Sequence, residues 1–154
     1  GQESNDWQKN SFITHLKAGD RLKKPVIVHT RAAQTETIKI LRNYANTEYG
    51  GVLHCFTETP KMAFDAIDLN FYISFSGIIT FKNASTLRET VKEIPLERIL
   101  IETDSPWLAP VPFRGSKNEP KYVLEVAKAL AKIKGVTLQE VCEKTAHNYS
   151  KLFL

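Results

Sequence analysis

Three residues of this 154-residue chain have the types and spacing to hold a divalent cation: His29, His54 and Asp104. Imidazole nitrogens and carboxylate oxygens are the usual ligands of zinc, manganese and related ions. A single histidine is more often a hydrogen-bonded structural group, so position must carry the argument. Val26-Ile27-Val28 runs into His29-Thr30-Arg31, Val52-Leu53 into His54-Cys55, and Ile99-Leu100-Ile101 into Glu102-Thr103-Asp104. Phe71 to Phe75 runs into Ser76-Gly77 in the same way. As parallel strands, these runs would all end on one rim, where barrel enzymes keep their catalytic groups. Two histidines and an aspartate there make either a metal site or a hydrogen-bonded network.

Two neighbours bear on the same rim. Glu102 lies two residues from Asp104 on an extended segment and so shares its face. It can support the site through an ion pair or network, or accept a hydrogen bond from substrate. Arg31 carries a planar fork that matches phosphate oxygens, and equally could pair with a rim carboxylate such as Glu102. His15 and His147 fall within helical patterns and read as structural or exposed groups.

The elements that must position these residues alternate along the chain. Helical spacing of apolar residues covers Trp7 to Leu22, Thr35 to Tyr49, Pro60 to Leu69, Leu87 to Ile94, Tyr122 to Ile133 and Leu138 to Phe153. Between them lie short extended runs at Pro25 to Val28, Val52 to Cys55, Phe71 to Phe75 and Ile99 to Glu102. The first is β-branched throughout its valine and isoleucine core, as expected of a buried parallel strand. Gly50-Gly51 and Pro95 punctuate the helix ends, and a polar loop spans Asp104 to Glu119. Strands separated by helices pair in parallel, which gives an α/β fold, either open and doubly wound or part of a (β/α)8 barrel. Neither GxGxxG nor a Walker sequence supports the nucleotide-binding version.

Composition fits one domain with a real core: 42% apolar and 25% charged residues. No apolar run approaches the roughly 20 residues that span a bilayer, so no membrane association is expected. Cys55 and Cys142 stand far apart without a CxxC pair, and the expected setting is a reducing cytoplasm. A net charge of +4 is compatible with a polyanionic partner, though the cations are spread along the chain. The chain opens without an initiator Met.

Five blocks together carry a family resemblance. They are Lys24-Pro-Val-Ile-Val-His-Thr-Arg31, Gly50-Gly-Val-Leu-His-Cys-Phe56, Phe71-Tyr-Ile-Ser-Phe-Ser-Gly77, Leu100-Ile-Glu-Thr-Asp-Ser-Pro106, and Pro110-Val-Pro-Phe-Arg-Gly115 with Asn118-Glu-Pro120. In order and separation they resemble the TatD family of metal-dependent deoxyribonucleases. The resemblance implies a (β/α)8 TIM-type barrel that hydrolyses DNA phosphodiesters with divalent metal, magnesium, manganese and zinc not being distinguished. It implies that His29 and His54 hold one ion and Asp104 the other, with Asp104 also accepting the proton of the attacking water. Arg31 and loop residues around Arg114 are candidate phosphate contacts by their charge, not by motif identity. A related activity on esters or amides, such as aminoacyl-tRNA deacylation, and a non-catalytic barrel remnant are the alternatives.

The family's HxH motif and its bridging Glu segment do not occur here. Residues 1–154 are therefore expected to form a single partial domain, strands five to eight of the barrel with their helices. The missing N-terminal half would be a partner, and the isolated piece is expected to have little nuclease activity.

Overall fold

The computed structural model describes residues 2–154, with side chains from residue 6 onward. Four strands alternate with helices: α1 (Gln2–Leu22), β1 (Val26–His29), α2 (Gln34–Tyr44), β2 (Gly51–His54), α3 (Pro60–Ile67), β3 (Phe71–Phe75), α4 (Ser85–Glu93), β4 (Ile99–Ile101), α5 (Val123–Lys134) and α6 (Leu138–Phe153). Single 3₁₀ turns follow β3 and precede β4 and α5. All four strands are parallel and stand in chain order β1-β2-β3-β4. Each crossover contains a helix, the connection that parallel neighbours require.

Register places the strand ends side by side. His29 pairs with His54 and Ile27 with Val52, while Val52 pairs with Tyr72 and Ser74 with Leu100. One face of the sheet, with Val28, Leu53, Ile73, Phe75 and Ile99, is buried beneath Leu41, Met62, Val91, Val126 and Leu130 of the helices. Burying each such side chain contributes about 1.5–3 kcal/mol. On the opposite face, Leu152 and Phe153 from the end of α6 pack against Val52, Tyr72 and Leu100. At Gly51 an added Cβ would lie 2.4 Å from the Val26 carbonyl oxygen and 2.6 Å from the Phe71 ring.

Two expectations need correction. The β1 run is not buried throughout, because Ile27 is 67% exposed. Its side chain alternates away from Val28 onto the face that α6 covers over β2, β3 and β4 but leaves open at β1. The second helix stops at Tyr44 rather than Tyr49, with Ala45 already extended. There Asn46 turns the chain: its Oδ1 accepts from the Glu48 N–H at 2.8 Å, and its Nδ2 donates to Asp20 at 2.6 Å. A side chain that satisfies the backbone two residues on competes directly with helix continuation.

Helix ends elsewhere follow familiar chemistry. Thr59 and Thr137 accept from backbone N–H groups at the starts of α3 and α6. Gly135, with φ 69°, closes α5 in the left-handed conformation. The Lys134 ammonium donates to the Val91, Lys92 and Ile94 carbonyls, satisfying the end of α4 from a neighbouring helix.

Candidate metal centre at the strand ends

The strand ends converge as parallel pairing demands. His54 closes β2, while Glu102 and Asp104 lie just past β4. The Glu102 N–H donates to the Phe75 carbonyl at 3.0 Å, which holds this segment against the end of β3. The chain then leaves the strands through residues in the left-handed region: Ala32 (φ 51°), Cys55 (φ 47°) and Asp104 (φ 58°). Aspartate adopts that conformation readily, but alanine and cysteine carry a Cβ penalty of about 1–2 kcal/mol. Their clustering on one rim is the pattern of a site held by its surroundings.

His54 lies at the centre of the rim. Its Nδ1 is 2.7 Å from Glu102 Oε1, and its Nε2 is 3.5 Å from Asp104 Oδ1. Glu102 Oε2 accepts from the Cys55 N–H at 3.1 Å, so the unusual Cys55 backbone aims a donor at the carboxylate. One ligand atom from each of His54, Glu102 and Asp104 lies within 4.8 Å of the others, and all three side chains are half-buried. With a proton on Nδ1 facing Glu102, Nε2 presents a lone pair toward the Asp104 carboxylate. Two acceptors 3.5 Å apart call for a cation or a proton between them. Glu102 Oε1 is buried 2.7 Å from His54 Nδ1, a contact that keeps the ring turned with Nε2 toward Asp104. The donor set therefore fits a divalent ion.

Of the residues singled out in the sequence, His54, Asp104 and Glu102 come together. His29 stands beside them, its ring centroid 5.7 Å from that of His54 at an interplanar angle of 50°, but it is exposed. Arg31 is exposed and, among the described residues, makes no ion pair. The pairing of Arg31 with Glu102 that the sequence left open does not occur, because Glu102 faces His54 instead. His29 and Arg31 line an open groove of about 720 Å³ between α1, β1 and α2. The loop carrying Arg31 is tied across the rim by Glu58, which accepts from the Ala32 N–H at 2.8 Å and from the Gln34 amide at 2.7 Å. His15 donates to the Ser11 carbonyl one turn earlier and is exposed, as is His147.

Sequence reasoning missed two contributors. Asn118 is buried, and its Nδ2 donates to the Thr103 carbonyl at 2.7 Å and to the Trp107 carbonyl, clamping both flanks of Asp104. The signal was present in Asn118-Glu-Pro120, but nothing in the sequence places that loop residue inside the turn. Ser76 is buried at the end of β3 and lies 3.3 Å from the Cys55 sulfur. Burial pushes the Cys55 thiol up to about 11, so it remains protonated beside the site.

The sequence matches the family model described as TatD related DNase over residues 1–154. It is 53% identical to the "uncharacterized metal-dependent hydrolase YcfH" of Escherichia coli K12 over 146 residues, 95% of this chain and 55% of that protein. It is 43% identical to the corresponding hydrolase YabD of Bacillus subtilis, covering 96% of this chain and 58% of that one. The chain thus spans about half the length of the curated relatives it matches. The crystal structure of YJJV, a TatD homolog from E. coli K12, superposes with a TM-score of 0.84 at 28% identity, over 90% of this chain and 53% of that one. An amidohydrolase structure from Saccharomyces cerevisiae shares the fold with a TM-score of 0.82 at 21% identity, over 97% and 60%.

Proposed function

Since this chain belongs to the TatD-related DNase family, whose matched relatives are metal-dependent hydrolases, we propose that it forms the metal-binding rim of a deoxyribonuclease that cleaves DNA phosphodiester bonds. The observation that carries this reading is His54 held between Glu102 and Asp104, with Nε2 3.5 Å from the Asp104 carboxylate. In this reading His29 and His54 hold one divalent ion and Asp104 a second. Ions bound there supply polarisation of water and neutralisation of charge on the phosphoryl oxygens.

The chain's own groups do the rest. Asp104 accepts the proton of the attacking water as its oxygen closes on phosphorus, and the phosphorus–oxygen bond to the departing nucleotide breaks. Glu102 keeps the His54 ring turned so that Nε2 faces the site, as carboxylates behind ligating histidines do. Arg31 offers its fork to a phosphate oxygen from the open side of the rim. The net charge of +4 favours approach of the polyanion.

The proposal extends to the architecture. Parallel strands in chain order with their crossover helices packed on one face support reading β1 to β4 as strands five to eight of a (β/α)8 barrel. The first four strands of that barrel are then the partner that supplies the remaining ligands. Among the described residues no helix is long and apolar enough to cross a membrane. The free thiols Cys55 and Cys142 support a reducing cytoplasm as its location.

Incubating the protein with DNA and magnesium or manganese, with a chelator as control, tests the activity. The chain alone is expected to cleave little; joined to the strands that would complete the barrel, it is expected to cleave DNA with metal and to lose that cleavage with chelator. Hydrolysis of carboxylic ester or amide substrates with intact DNA would overturn the nuclease reading.

A further inference from the structure

Trp107 is 72% exposed three residues beyond Asp104. We propose that it is a stacking platform for a nucleobase of the substrate strand, and so the part of this rim that selects base-bearing polymers over other phosphodiesters. The inference rests on the nucleic-acid reading of the site.

The backbone beneath the ring is fixed while the ring itself stays free. The Trp107 N–H donates to the Asp104 carbonyl at 3.0 Å, closing a turn that keeps the two residues within about 7 Å of each other. Buried Asn118 donates to the Trp107 carbonyl from within the loop. On the far side, Gly77 lets the chain settle onto the end of β3: a Cβ there would lie 2.4 Å from the Leu108 carbonyl oxygen. The Val111 N–H then donates to Thr80 at 2.9 Å, and Ala109 is buried.

A large apolar ring held out in water on a pinned loop is unlike the rest of the segment, where every other aromatic is engaged. Phe113 stacks on Tyr122 with centroids 4.0 Å apart, and the Arg114 guanidinium covers the Phe81 ring at 3.8 Å. The same loop carries the exposed cations Arg114 and Lys117, and exposed Lys121, ion-paired with Glu119, follows it. A free aromatic face among exposed cations beside the candidate phosphodiester-cleaving group is what single strands bind, because every base has a stacking face. The turn keeps the Trp107 and Asp104 backbones within about 7 Å of each other, which puts the ring's anchor point close to where the scissile phosphate would lie.

The test compares a short DNA strand with a strand of equal length in which abasic residues replace the nucleotides. Metal-loaded protein, joined to the strands that would complete the barrel, is expected to cleave the base-bearing strand at least ten-fold more efficiently, mainly through KM. Trp107→Ala should remove most of that preference and Trp107→Phe restore it. Equal losses on both strands, or an unchanged preference in Trp107→Ala, would overturn the platform. Fluorescence in a Trp7→Phe background gives a readout independent of turnover. Quenching of Trp107 by the base-bearing strand and not by the abasic one is expected. If neither strand is cleaved, the nuclease reading fails, and the quenching still decides the platform: equal quenching by both strands, or none, rejects it.

Discussion

The same residue type closes β1 and β2 in matched register, yet His29 and His54 live in different worlds. His54 is half-buried, with a carboxylate at each ring nitrogen and a left-handed cysteine directing a backbone donor at one of them. His29 is exposed, reaches the site through its ring approach to His54, and stands beside the equally exposed Ile27 and Arg31. The difference teaches that a strand end sets where a ligand sits, but the neighbours on the next strands set which way it points. β2 has β3 and β4 to supply those neighbours. β1, at the sheet edge, has a neighbour on one side.

The largest effect should come from the carboxylate that faces His54 Nε2. Asp104→Asn keeps the shape of the side chain and removes its proton acceptor, so metal-dependent hydrolysis should fall about 10³-fold, within the usual span for a general base. Activity within a few fold of the parent would remove Asp104 from the chemistry. A smaller effect separates the two strand ends. Glu102→Gln should weaken metal binding, measured by calorimetry, roughly 10–100-fold with the fold intact. On the same scale His54→Ala should cost more than His29→Ala, because it empties the prearranged position. Equal losses would show that His29 is held as firmly as His54 once metal is bound.

The smallest effect concerns reactivity beside the site. Burial raises the Cys55 thiol to about 11, so the folded state favours the neutral thiol. That preference is fully present below the unfolded value near 8.5 and fades as pH climbs toward 11. At pH 8, iodoacetamide followed by peptide mapping should therefore label exposed Cys142 and spare Cys55. Labelling of both at similar rates would mean that the end of β2 opens readily.

Much of the scaffold was legible because apolar runs and punctuation are local. The run Phe71 to Phe75 is a strand over that same span, and Leu138 to Phe153 a helix over its own. What the sequence hid was decided by distant partners. Tyr44 to Tyr49 has helical composition, yet Asn46 finds Asp20 26 residues away and turns the chain. Ile27 reads as core but faces a side of the sheet whose cover ends one strand short. At the rim, spacing brought Glu102 and Asp104 to one face, while the contact between Glu102 and Cys55 depends on a positive φ that composition does not announce. Asn118 was invisible as a clamp because its two acceptors belong to carbonyls, which every residue has.

Gly51 gives the rim a remote dependence. It sits three residues before His54 and directly across from Val26, at the floor of the same strand pair. A single methyl group there would meet the Val26 carbonyl on one strand and the Phe71 ring on the other. The strands would have to splay, and a wedge driven in at the base of β1 and β2 opens at the top, about 10 Å higher. The spacing between His29 and His54 is thus set at a distance, by a hydrogen atom in place of a side chain. A fault at the rim would then be inherited from a position that touches none of the candidate ligands.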